Sequence, residues 1–295
     1  MKKINHWDSH MHLHPFRPDW WAEQLVSNME RNNVCAGAIS GLGLMSPTSD
    51  DDVLRICRKY PNRLLPMLGR IDLNDERELD RVEPLLRSGN WAGVGELFLQ
   101  SYLPNLSYPN GTEQVTVPYP VPKRGPQSHV LGTLIRWCTE LRLPLLIHSE
   151  SAAALEELLQ RYPRSTLLWA HCDYVTPLAD VRRVLERYPW LTVDFGPMIR
   201  CGYWDTEHGS SHWLETDRGF WQELCRDFSD RLLLGADAFT EKYVEAARFD
   251  HIYRSYNDFI NALPGEKADD IVANNFKRVF RVYLENHPAI GANKR

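Results

Sequence analysis

Near its amino terminus the chain reads Asp8-Ser9-His10-Met11-His12. In an extended strand alternate side chains share a face, so His10 and His12 can present two imidazoles to one cation, with Asp8 behind them. An HxH triplet alone is a weak signal in a chain with 11 histidines. Its weight comes from what lies further along: His148, His171 and Asp237 each close an apolar run, and Glu96 closes the phrase Gly93-Val94-Gly95-Glu96. Imidazole and carboxylate are the donors that zinc and similar divalent ions take, and a catalytic site of this kind keeps one position open for water. Glu96 is placed to bridge a second ion, with a rim carboxylate as its other reading. No lysine closes the same run, so a carbamylated-lysine bridge has no residue to use; Lys123 lies deep in a proline-rich segment.

These residues need a scaffold that brings strand ends together. Eight apolar β-type runs start at Ile4, Val34, Leu64, Trp91, Leu143, Thr166, Leu191 and Arg231. Helical periodicity separates them over residues 19–31, 51–60, 76–87, 130–141, 151–161, 177–188 and 217–228. Alternation of this kind is the signature of βα repeats around a parallel sheet, here an α/β chain of the (β/α)8 TIM-barrel type, whose functional residues stand at the carboxyl ends of the strands. A doubly wound open sheet would carry a Gly-rich phosphate loop after the first strand, and none is present. Three helices end in Tyr-Pro (KYPNRL, RYPRST, RYPWLT), where proline drives the preceding residue out of the helical region. Two stretches break the rhythm. Residues 104–126 hold six of the 19 prolines, and residues 196–215 carry Gly, Ser, Trp and two histidines. Both follow strand ends and are expected over the barrel mouth; for the proline-rich segment a variable surface loop or a subunit contact is the alternative.

Composition sets the bounds. The 295 residues, 43% hydrophobic and 25% charged, are those of an ordinary soluble globular enzyme and exclude disordered, collagen-like and coiled-coil classes. One barrel domain over residues 1–285 with a tail at 286–295 suits the length. No run of about 18 uncharged apolar residues marks a membrane span, and MKKINHWDSH does not read as a signal peptide. The six cysteines lack CxxC spacing and read as buried thiols of a reducing cytoplasm. A net charge of -5 counts against a nucleic-acid partner; a small-molecule substrate is expected, and a homo-oligomer is left open.

Arg70 and Arg200 could clamp a substrate carboxylate, with a solvated or structural arginine as the alternative for each. Tyr203, Trp204, His208 and His212 are pocket walls or ordinary loop residues. Cys172 follows His171 directly and, by strand alternation, points away from the pocket as a packing cysteine, with a metal ligand as the alternative. His6 and His14 read as rim or solvent histidines.

The ordered set of Asp8-Ser9-His10-Met11-His12, His148-Ser149-Glu150, Ala170-His171-Cys172-Asp173, Gly235-Ala236-Asp237 and Asn274-Asn275-Phe276-Lys277-Arg278-Val279-Phe280 resembles the metal-dependent amidohydrolase superfamily. Its nearest echoes are the amidohydrolase-related hydrolases and the TatD-type deoxyribonucleases. The resemblance implies a distorted barrel, one or two divalent ions (zinc, with manganese second), and a metal-activated water as nucleophile. It also implies His10, His12, His148, His171 and Asp237 as ligands, Glu96 as the bridge of the TatD-like branch, and Asp237 shuttling the proton, with His171 as ligand or electrostatic partner. Gly-Ala-Asp in place of an acidic Glu-Thr-Asp phrase, and the insert after Glu96, depart from that branch. The expected activity is metal-dependent hydrolysis of an amide, ester or lactone. The alternatives are a mononuclear metal-dependent decarboxylase, a TatD-like phosphodiester hydrolase and a metal-free binding barrel.

Overall fold

A computed structural model of the chain describes residues 4–101, 104–110, 112–172, 176–195, 217–239 and 244–291. Eight parallel strands form one sheet: β1 (His6–His12), β2 (Val34–Ser40), β3 (Leu64–Leu68), β4 (Gly93–Gln100), β7 (Leu145–Ser149), β8 (Leu167–Trp169), β9 (Thr192–Asp194) and β10 (Leu232–Leu233), neighbours in that order. Its two ends meet through parallel bridges between Asp8 and Leu234 and between Met11 and Ala238, so the sheet closes on itself. The (β/α)8 barrel expected from the alternation is the observed fold. Helices α1 (Pro18–Arg31), α2 (Asp50–Lys59), α3 (Glu78–Arg87), α4 (His129–Leu141), α5 (Ala152–Arg161), α6 (Leu178–Arg187) and α7 (Arg218–Phe228) fall between the strands. After β10 come α8 (Ala246–Ile260), α9 (Gly265–Asp269), a π turn, α10 (Asn275–Val279) and α11 (Arg281–Asn286), which covers the amino-terminal side with Phe276, Phe280 and Tyr283 packed inward. Beyond it Ile290 is buried, and Gly291 donates its N–H to the Asn62 carbonyl.

Local sequence accounts for the helix ends. Ser49 and Asp52 form a reciprocal capping box on α2, whose first turn holds three aspartates and whose last turn holds Arg58 and Lys59. The three Tyr-Pro stops share one geometry: Tyr60, Tyr162 and Tyr188 cap their helices with φ between -122° and -125°. No helix among the described residues is long and apolar enough to cross a membrane. Cys35, Cys57, Cys138 and Cys225 are buried free thiols.

The proline-rich stretch is more regular than a loop. It forms an antiparallel hairpin, β5 (Asn105–Asn110) and β6 (Glu113–Pro118), with Asn105 opposite Pro118 and the Ser107 and Thr116 hydroxyls 2.8 Å apart. A two-stranded sheet has only edges, which is where strands tolerate proline.

Neither His6 nor His14 is a rim histidine. His14 is buried and its Nδ1 accepts the N–H groups of Phe16 and Arg17 at the entry to α1. His6 is fully buried against Tyr253, with Nε2 3.0 Å from Asn257 Oδ1. Burial outweighs that hydrogen bond and pushes its pKa down to about 4. The unfolded imidazole, at 6.5, takes up a proton first as pH falls. His6 therefore contributes stability that is complete above pH 6.5 and is lost on acidification toward pH 4, about 3 kcal/mol in all. Urea unfolding across this window should fall more steeply for wild type than for His6→Gln; equal slopes would refute the assignment.

Candidate metal centre

The carboxyl halves of β1 and β7, the middle of β4 and the segments after β8 and β10 bring all six sequence-predicted donors together; Glu96 does not end its strand, which runs on to Gln100. One group comprises His10, His12, Glu96 and Asp237, a second Glu96, His148 and His171, with ligand atoms in each group within 4.8 Å of one another. All six residues are buried. The Nε2 atoms of His10 and His12 lie 3.0 Å apart. Asp237 Oδ1 stands 3.5 and 3.1 Å from them, and Glu96 Oε2 stands 3.5 and 3.4 Å away. The other oxygen of Glu96, Oε1, is 3.2 Å from both His148 Nδ1 and His171 Nε2. One carboxylate thus divides its two oxygens between the two groups.

The far side of each ring decides which nitrogen is free to coordinate. His10 Nδ1 donates to Asp194 Oδ2 at 3.2 Å, and His12 Nδ1 donates to the Gly41 carbonyl at 3.2 Å, with Ser40 Oγ at 2.9 Å. A carboxylate and a carbonyl can only accept, so Nδ1 carries the proton in both rings and each Nε2 presents a lone pair. His148 Nε2 likewise donates to Glu150 Oε1 at 3.2 Å, which leaves Nδ1 as the lone-pair atom facing Glu96 and His171. Two Nε2 atoms 3.0 Å apart with two carboxylates beside them call for positive charge between them, a shared proton or a divalent ion. Such a donor set fits divalent ions.

The electrostatics of the protein groups ask for the same thing. Burial would lower the pKa of His10, but Asp237, Asp194 and Glu96 outweigh it and hold the imidazole well above its usual value. His12 is raised against burial by Asp237 and Glu96. Burial would raise Glu96, yet His10, His12 and His148 hold it well below the usual carboxylate range, and His10, His12 and His171 lower Asp237 in the same way. Excess negative charge here draws positive charge in.

Backbone form aims the side chains. Gly95, at φ 130°, lies so close to β7 that a Cβ would stand 2.5 Å from the Leu146 carbonyl oxygen, and Glu96 follows it into the site. The sixth run ends as a strand at Trp169 rather than at His171, which takes φ 65° in a tight turn with its N–H donated to Asp194 Oδ1 at 2.9 Å. Strand alternation consequently says nothing about Cys172. Asp237, at φ 45°, donates its N–H to the His10 carbonyl at 2.8 Å.

Asp194 and Glu150 were not singled out in the sequence. Asp194 ends β9 and links the His10 ring to the His171 backbone; His10, His171 and Asp194 form a third donor cluster behind the first. Glu150 sits two residues after His148, the spacing of a shared strand face, and its Oε1 also accepts the Ser101 hydroxyl at 3.0 Å. That spacing was the available signal, as was an acid closing the LTVD run for Asp194. Arg70 does not line the cavity over the donors; its guanidinium donates to the Ser46 carbonyl at 2.5 Å and the Gly43 carbonyl at 3.4 Å. Arg200, Tyr203, Trp204, His208 and His212 lie outside the described residues. Above the donors the walls are apolar: Leu42, Met45, Phe98, Phe239 and, from the ends of the hairpin segment, Leu106 and Tyr119.

A closed βα barrel with imidazoles and carboxylates gathered at its carboxyl-terminal mouth is an α/β barrel with a candidate metal site. The amidohydrolase family profile matches residues 7–282, and the chain belongs to that family. Among solved structures, a zinc-bound amidohydrolase from Burkholderia multivorans is similar over 94% of this chain and 99% of its own, with 13% identity and a TM-score of 0.64. An amidohydrolase 2 from Bifidobacterium longum subsp. infantis covers the same shares at 11% identity and a TM-score of 0.58. A dihydroorotase covers 97% of this chain and 72% of its own at 14% identity and a TM-score of 0.54. No protein of curated function matches the sequence.

Proposed function

We propose that this chain is a metal-dependent hydrolase that cleaves an amide, ester or lactone bond of a small molecule at a site holding two divalent ions, zinc by preference. The observation that carries the reading is Glu96, whose two oxygens face two separate imidazole groups. His10, His12 and Asp237 would hold one ion, His148 and His171 the other, with Glu96 shared. When bound, such ions lower the pKa of water toward neutrality and polarise a carbonyl. The chain supplies the rest. Asp237 stands at the junction of both groups, 3.1 Å from His12 Nε2 and 3.8 Å from His171 Nδ1, where it can take a proton from the attacking water and deliver it to the leaving group. Apolar walls exclude bulk water, which strengthens each of these interactions.

Elemental analysis separates this reading from its rival. Two ions per chain in wild type, falling to one in Glu96→Gln, is the expected result. One ion in both proteins would reject the bridge and turn the assignment to a mononuclear centre, the decarboxylase arrangement.

A further inference from the structure

Strands β7, β8 and β9, which lead to His148, His171 and Asp194, open at their other ends onto a second cavity, on the amino-terminal face of the barrel. It encloses about 420 Å³ and is bordered by Arg142 at the end of α4, Arg164 between α5 and β8, and Arg278 and Arg281 on the final helices. No carboxylate lines it, in a chain with 39 acidic residues against 34 Lys and Arg. Elsewhere the surface arginines Arg55, Arg87 and Arg183 are matched with acids. Here Arg281 reaches Glu285 at 3.5 Å and Arg278 donates to the Asp230 carbonyl at 2.5 Å, whereas the guanidinium groups of Arg142 and Arg164 engage no partner among the described residues.

Two buried polar atoms of residues beside the cavity are unsatisfied: Ser165 Oγ, on a residue only 4% exposed, and Trp190 Nε1. Helix dipoles favour cations near the ends of α4 and α5, but that weak effect does not gather four guanidinium groups around one acid-free cavity. The remaining wall is largely aliphatic. Its volume lies within the range of about 300–1,000 Å³ typical of small-molecule sites.

We propose that this cavity binds a small organic anion, a phosphate monoester or a carboxylate with an apolar body. The oxyanion sits on Arg142 and Arg164 and the body lies against Trp190 and the aliphatic wall. Guanidinium forks match either oxyanion. This site is separate from the metal centre and does not depend on the hydrolase reading.

Calorimetric titration of the purified protein with phenyl phosphate and, separately, with benzoate tests it. At least one probe should bind at one site per chain, and which of the two binds more tightly identifies the oxyanion. The Arg142→Ser/Arg164→Ser double variant should raise Kd about tenfold or more, and Arg164→Glu should do the same by reversing one charge. Glu96→Gln should leave Kd unchanged. Both arginines are exposed, so the melting temperature should match wild type and separates lost binding from misfolding. Absence of binding by both probes at about 10 mM overturns the proposal. So does binding that survives the arginine substitutions, or that disappears in Glu96→Gln and thereby locates the anion at the metal centre.

Discussion

Asp237→Asn is expected to fold as wild type does and to turn over at about one-hundredth of the wild-type rate or less, the scale of a lost general acid-base group. Asparagine is the substitution that isolates the chemistry. Asp237 sits at φ 45°, a region that asparagine enters at little cost while most side chains do not. The amide keeps the shape and one oxygen donor but cannot take a proton. Turnover would be followed on a panel of aryl esters and lactones with metal content measured on the same samples. Near-wild-type turnover at full metal loading removes Asp237 from the proton path; a fall that tracks metal loss leaves it a ligand only.

The second large effect is structural. Gly95→Ala would put a Cβ 2.5 Å from the carbonyl oxygen and 2.6 Å from the Cβ of Leu146, on a backbone at φ 130° that side chains rarely adopt. Both contacts belong to the neighbouring strand, so no flexible side chain can give way. The expected cost is about 3 kcal/mol or more from overpacking and backbone strain together. The displacement passes to Glu96, so the ion that it shares should be bound more weakly as well. Gly219→Ala, at an exposed position of α7 where an added Cβ meets nothing within 4 Å, is the control and should be no less stable than wild type. Urea unfolding with metal analysis reads both. A stable Gly95→Ala protein with full metal would show that β4 and β7 have room between them.

What could be read in advance was whatever depends on local periodicity. The barrel followed from eight apolar runs and the helices between them, and the Tyr-Pro stops at Tyr60, Tyr162 and Tyr188 were legible because proline acts on the residue before it. Six donors at strand ends converge because a barrel puts those ends on one face. Contacts made across the fold were not legible. Asp194 closes a run like the other donors, but its partnership with the His10 ring and the His171 N–H depends on a turn at φ 65° that no strand pattern foretells. His6 and His14 are polar in sequence and buried in the fold, since polarity alone does not report the partners that allow burial. Six prolines hid the hairpin, although Val115, Thr116 and Val117 carry β-branched side chains in a row.

The seam that closes the barrel joins the first strand to the last. Asp8 accepts the Ala236 N–H at 3.0 Å, across 228 residues, and also the Tyr253 hydroxyl, while the carbonyl of His10 receives the N–H of Asp237. The latch of the fold and the first donor group are therefore one feature. Contacts of such span close a loop of nearly the whole chain. A chain growing from its amino terminus holds His10, His12, Glu96, His148 and His171 long before Asp237 exists, and the donor set is complete only when that last strand arrives. Closing the barrel and completing the donor set are one event.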